Sequence, residues 1–87
     1  MGPVADWRED IDALQFATGS GGDCMVHRLA FRRLVGFTPQ RADCMSYFAS
    51  HAPAFGAAAA KKIALRRSAP GRNLHLTSRD IRRQLDI

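Results

Sequence analysis

Eleven cationic side chains stand in four groups along this chain: Arg28, Arg32 and Arg33; Lys61, Lys62, Arg66 and Arg67; Arg72 alone; then Arg79, Arg82 and Arg83. Their chemistry is that of anion recognition. If three helix ends bring them to one side, they could neutralise several phosphates and give salt-dependent, sequence-tolerant binding of nucleic acid. The charge is strongly segregated. Of 13 Lys and Arg residues, 12 follow Asp23, whereas five of the eight acids lie at or before it. The first 23 residues carry a formal −4, and the remainder carries +9, twelve cations set against Asp43, Asp80 and Asp86. A field of that size selects among nucleic acid, an anionic membrane, an acidic protein and the chain's own N-terminal arm. The plainer reading is a solvated surface, partly cancelled by those acids.

Other chemistries find less material. Cys24 and Cys44 match neither a C-x-x-C redox pair nor half a zinc site, and are expected as buried free thiols. Cys24 and His27 sit at a strand end, where side chains alternate faces, so they should point apart. His51 falls within a helical stripe as a core-edge residue; Cys24, Cys44, His27, His51 and His75 could in principle assemble a metal site or a Cys–His pair, but nothing in the sequence shows that they meet. The run Thr18-Gly19-Ser20-Gly21-Gly22-Asp23 opens into a strand rather than a helix, which makes it a flexible hairpin tip and not a phosphate loop. Glu9, Asp10 and Asp12 are too close in sequence to divide acid and base roles. No enzyme, cofactor or metal is expected. Trp7, the lone tryptophan, stands beside these acids, where it either covers the sheet edge or anchors a partner or second subunit.

The elements that must carry these residues follow from periodicity. Leu14 and Phe16 alternate with Gln15, and Cys24-Met25-Val26 resumes an apolar run beyond the Gly-rich loop, which predicts an antiparallel hairpin. After His27, Leu29, Leu34 and Phe37 set against Arg28, Arg32 and Arg33 suit a short helix ended by Gly36. Thr38 and Pro39 are expected as N-cap and first helical position. Met45, Phe48, Ala52, Phe55, Ala59 and Ile63 then draw one apolar stripe towards Arg67, with Pro53 inside it, so the stretch must kink or divide at Ser50 to Ala52. Ala69-Pro70-Gly71 breaks the chain. Asn73 to Thr77 alternates as a third strand, and Thr77 or Ser78 caps a last helix with Ile81 and Leu85 on one face.

The expected fold is α+β in the order β-β-α-α-β-α: a three-stranded, mainly antiparallel sheet, two helices packed on one face, and a short C-terminal helix. Residues 1–10 form a flexible acidic arm and 11–87 a single domain. With 87 residues the core is small, and homodimerisation is one way to enlarge it. No apolar run approaches the ~20 residues of a membrane span, and no signal peptide is evident, so no membrane partner and a cytoplasmic location are expected.

The hairpin ending in Phe16 and Cys24-x-Val26, the Ala30-centred helix and the aromatic helix with Phe48 and His51 that leads to Ala59-Ala60-Lys61-Lys62-Ile63 form a pattern. With the glycine-led strand ending at Ser78-x-Asp80, it resembles the small bacterial family catalogued as domain of unknown function 1488. The resemblance covers roughly Ile11 to Ile81. It departs where members usually place a Ser and then an acid after the second strand, since His27 and Arg28 stand here, and where Pro53 interrupts the helix. It implies a compact α+β domain from a bacterium and supplies no activity, cofactor or site residue. The expectation is therefore a non-enzymatic binding module acting on nucleic acid or an acidic protein through its basic surface. The alternative is a protein–protein or homodimerisation module that uses Trp7.

Overall fold

Alternating side chains build the sheet, and the computed structural model describes it within residues 5–17, 22–66 and 73–85. Strand β1 is Ala5–Arg8, β2 Ala13–Ala17, β3 Asp23–His27 and β4 Leu74–Leu76. They lie in the order β1-β2-β3-β4. Antiparallel pairing sets Trp7 opposite Leu14, then Leu14 opposite Val26 and Phe16 opposite Cys24. On β4, Leu74 pairs with Cys24 and Leu76 with Val26, in parallel. One face of all four strands is therefore apolar.

Two expectations about the sheet need correction. There are four strands rather than three, because Ala5–Arg8 of the expected arm is an edge strand. Ala5 and Trp7 turn to the core while Asp6 and Arg8 face water, but four residues with two charges do not read as a strand on their own. The turn back to β2 is carried by Asp12 at φ 52, a left-handed position that Asp tolerates better than most residues. The sheet is mixed rather than mainly antiparallel at its far edge. Three helices separate β3 from β4, and that crossover returns the chain to run beside β3 in the same direction.

Helix α1, Arg28–Val35, begins directly at the end of β3 and stops at Gly36, whose φ of 85 requires no Cβ and whose N–H donates to the Arg32 carbonyl at 2.9 Å. Its buried residues are Ala30 and Phe31, whereas Leu29 and Phe37, expected on the apolar face, are more than half exposed. The face shifts because β3 hands the chain to the helix with Ala30 and Phe31 over the sheet. Helix α2, Arg41–Ser50, starts two residues later than Thr38-Pro39 suggests. Gln40 and Asp43 cap it reciprocally, with the Gln40 N–H donating to Asp43 at 2.9 Å, and Pro39 is buried instead.

Pro53 divides the long stripe. Helix α3, Ala52–Arg66, starts after a break at His51, so proline occupies the first turn of a new helix, where no intrahelical N–H bond is lost. Helix α4, Ser78–Leu85, is capped by Thr77: its hydroxyl accepts from the Asp80 N–H at 3.3 Å, and Asp80 accepts from the Thr77 N–H at 2.9 Å. The expected hairpin tip, apart from Gly22 and Asp23, and the Ala69-Pro70-Gly71 break lie outside the described residues.

The core joins Leu14, Phe16, Val26, Leu74 and Leu76 of the sheet to an aromatic group from the helices. Phe48 lies 5.1 Å from both Phe16 and Phe55 between ring centroids, and Phe31 5.8 Å from Phe55. Rings at such spacings add attraction beyond the area they bury. Cys24 and Cys44 are free and buried here; burial pushes their thiols up to about 12 and about 11, so both stay protonated at neutral pH and pack as small apolar groups.

Candidate functional site

Helix α4 is held to the molecule by Ile81, its fully buried side chain. Arg79, Arg82 and Arg83 follow the three- and four-residue spacing of one helical face, and that face lies opposite Ile81. Packing of α4 between α1 and α3 thus brings its arginines alongside the end of α1. Arg33 completes the arrangement. A cleft of about 620 Å3 is lined by Arg33, Arg79, Arg82 and Arg83 together with Thr77 and Ser78, with no carboxylate among the described residues that line it.

Arg82 fixes the two helices. Its Nη2 donates to the Arg33 carbonyl, placing a cation at the carbonyl-rich end of α1, where the helix dipole favours it. On the other flank of α4 a second depression of about 210 Å3 includes Lys61, Lys62, Asp80 and Arg83. Arg83 belongs to both, so a basic surface runs from Arg33 over α4 to Lys61. Lys62 is differently employed. Its Nζ donates to Asp80 at 2.9 Å and to the His75 carbonyl at 2.6 Å, tying α3 to β4 and α4. Burial alone would raise the Asp80 carboxyl, but hydrogen bonds from Thr77 and Lys62 outweigh it and hold the group below the ordinary 3.8.

The acidic segment engages a separate set of cations. Arg28 meets Asp12 with an Nη2–Oδ1 distance of 2.8 Å, donates to the Pro39 carbonyl at 2.6 Å and lies 5.0 Å above the Trp7 ring. The Arg28 Nε hydrogen bond to Asp12, at 3.0 Å, lowers the Asp12 carboxyl. Glu9 takes Arg41 at 2.8 Å, and Asp10 takes Arg8 at 2.6 Å. Arg28 therefore belongs to the acidic end and not to the cleft. Trp7 is half-buried against the core under Arg28.

The remaining cations divide as follows. Arg32, Arg33, Lys61, Arg79 and Arg83 pair with no carboxylate among the described residues. Arg32 is exposed on α1, and Arg66 is the last residue of α3. Arg67 and Arg72 lie outside the described residues. Sequence reasoning missed Arg8 and Arg41 as partners of the acids, because each pair closes only in the folded chain. It also missed Thr77 and Ser78 as cleft residues, having assigned them to capping alone.

Other groupings are structural in form. His27 Nε2 lies 3.0 Å from His75 Nδ1 across β3 and β4, the rings stacked at 5.1 Å, and His27 Nδ1 lies 3.3 Å from the Ile11 carbonyl. His51 stacks on Tyr47 at the break between α2 and α3. Among the described residues no three His, Cys, Asp or Glu side chains gather where they could hold a metal ion, and no helix is long and apolar enough to cross a membrane. Comparison with protein-family models, with curated proteins and with solved structures finds no match to this chain.

Proposed function

We propose that this protein is a non-enzymatic nucleic-acid-binding module that works through the basic surface running from Arg33 over α4 to Lys61. The observation that carries the reading is the set of four guanidinium groups on one cleft, with no carboxylate among the described residues that line it. Four cations spread along one cleft suit a ligand that presents phosphates in series. Guanidinium groups also fork onto phosphate oxygens, which makes arginine well suited to the task. Protonated, buried thiols favour a packing role for Cys24 and Cys44 over a catalytic one. A bacterial source and the resemblance to domain of unknown function 1488 belong to the same proposal, as does a cytoplasmic location, where such a ligand would be met.

Fluorescence anisotropy with labelled RNA and DNA at rising salt tests it. Four neutralised phosphates imply an affinity that falls about a hundredfold between roughly 50 and 200 mM salt. Binding no tighter than that of an equally basic control protein, or binding indifferent to salt, removes the proposal. Salt-indifferent self-association in sedimentation would point instead to an apolar protein interface.

A further inference from the structure

We infer that the nucleic acid taken by this surface is single-stranded and that one unstacked base seats in an apolar notch beside the arginine cleft; this rests on the phosphate-binding reading of that cleft. The notch opens where β3 and β4 end side by side. It has a volume of about 270 Å3 and is formed by Leu29 and Ala30 of α1, Leu76 of β4 and the neighbouring His27. It shares Arg33, Thr77 and Ser78 with the arginine cleft, so an apolar and a cationic compartment meet along one wall.

The two compartments fit the two halves of a nucleotide. Pockets for drug-sized ligands run to about 300–1,000 Å3, and this one lies just below that range, suited to one ring system. Leu29 alone would mean little, since single exposed apolar side chains are ordinary. It is 55% exposed, however, on the rim of an apolar hollow that adjoins four guanidinium groups. Thr77 and Ser78 add hydroxyl groups on the shared wall, where a base edge would meet a sugar and phosphate.

Shape favours a single strand over a duplex. The cationic groups line one cleft, which suits a single backbone laid along it. Bases in a duplex are stacked inside it, so only an unpaired base can turn into the notch. Phe31, Phe48 and Phe55 are buried, so none of them offers a stacking platform. Contact with the base is then made by Leu29, Ala30 and Leu76, with the His27 ring beside them.

The experiment compares three labelled DNAs at low salt: a short single strand, an abasic strand of the same length, and the duplex. The intact strand is expected to bind about tenfold tighter than the abasic one. Leu29→Ser should abolish that difference and leave abasic binding unchanged, with an unaltered melting curve because the residue is exposed. The duplex should bind more weakly than the single strand. Equal affinity for intact and abasic strands, or preference for duplex, overturns the notch while leaving the phosphate reading in place. Failure of all three DNAs to bind removes the phosphate reading itself.

Discussion

The acidic end of the molecule and the α1–α4 cleft hold similar numbers of cations and use them in opposite ways. At the acidic end Arg8, Arg28 and Arg41 each face a carboxylate from residues 9–12. In the cleft Arg33, Arg79 and Arg83 face none among the described residues, and Arg82 is tied to a carbonyl. The lesson is that net charge per segment does not locate a binding surface. The −4 leader neutralises cations near β1 and the start of α1, while Arg79 and Arg83 of α4 pair with no carboxylate among the described residues.

The largest test of that contrast removes its scaffold. Ile81→Ala should cost about 2–5 kcal/mol in urea unfolding, because the side chain is fully buried and nothing else on α4 replaces it. Nucleic-acid binding should fall with it, whereas the ion pairs at the acidic end do not depend on α4. Retained binding in a folded Ile81→Ala protein would mean that the cleft is not the site.

Asp80→Asn should come next, at about 1–3 kcal/mol, since Lys62 would be left largely buried beside a neutral group. Its folded-state carboxyl is depressed, so its contribution is in place above the ordinary 3.8 and is lost as pH falls through the lower folded value. The wild-type protein should therefore lose stability on acidification over that window, and the variant should lose less. Affinity for nucleic acid should hold or rise in the variant, because it removes a negative charge beside the cleft. Parallel loss of stability and affinity would contradict this.

Arg79→Ala isolates the cleft from the fold. Unfolding should shift by no more than about 0.5 kcal/mol, as for other exposed substitutions, while affinity drops about tenfold and the salt slope flattens by about one unit. Arg41→Ala is the matched control and should leave anisotropy titrations unchanged. Asp12→Asn should give the smallest effect, a slight change in melting temperature and little gain in binding, because the pair it breaks is exposed. A large gain would show that the acidic end also restrains the cleft, and the distinction between the two regions would collapse.

Much of the fold was legible because its signals are local. Leu14 and Phe16 marked β2, Gly36 marked the end of α1, Pro53 marked a kink or division at Ser50 to Ala52, and Thr77 or Ser78 marked the start of α4. The missed strand β1 is defined by its partner β2 more than by its own four residues. The parallel direction of β4 depends on where three helices return the chain. The candidate site was half legible. The pairing of Ile81 with Leu85 on one face set Arg79, Arg82 and Arg83 apart from it, but that Arg33 should join them and Arg28 should not was decided by packing between elements distant in sequence.

Pairing of β4 with β3 brings together positions about as far apart as Asp23 and Asn73, which are 50 residues apart and joined by a 3.3 Å hydrogen bond. Closing so long an excursion carries an entropic cost that is recovered only after α1, α2 and α3 have been built. The C-terminal strand and helix are therefore expected to arrive last during folding. In amide exchange on the finished protein, they should open before the central hairpin does. Any occupant of the cleft would then act as a latch on this closing segment, slowing exchange at Leu74–Leu76 while leaving Ala13–Ala17 almost untouched.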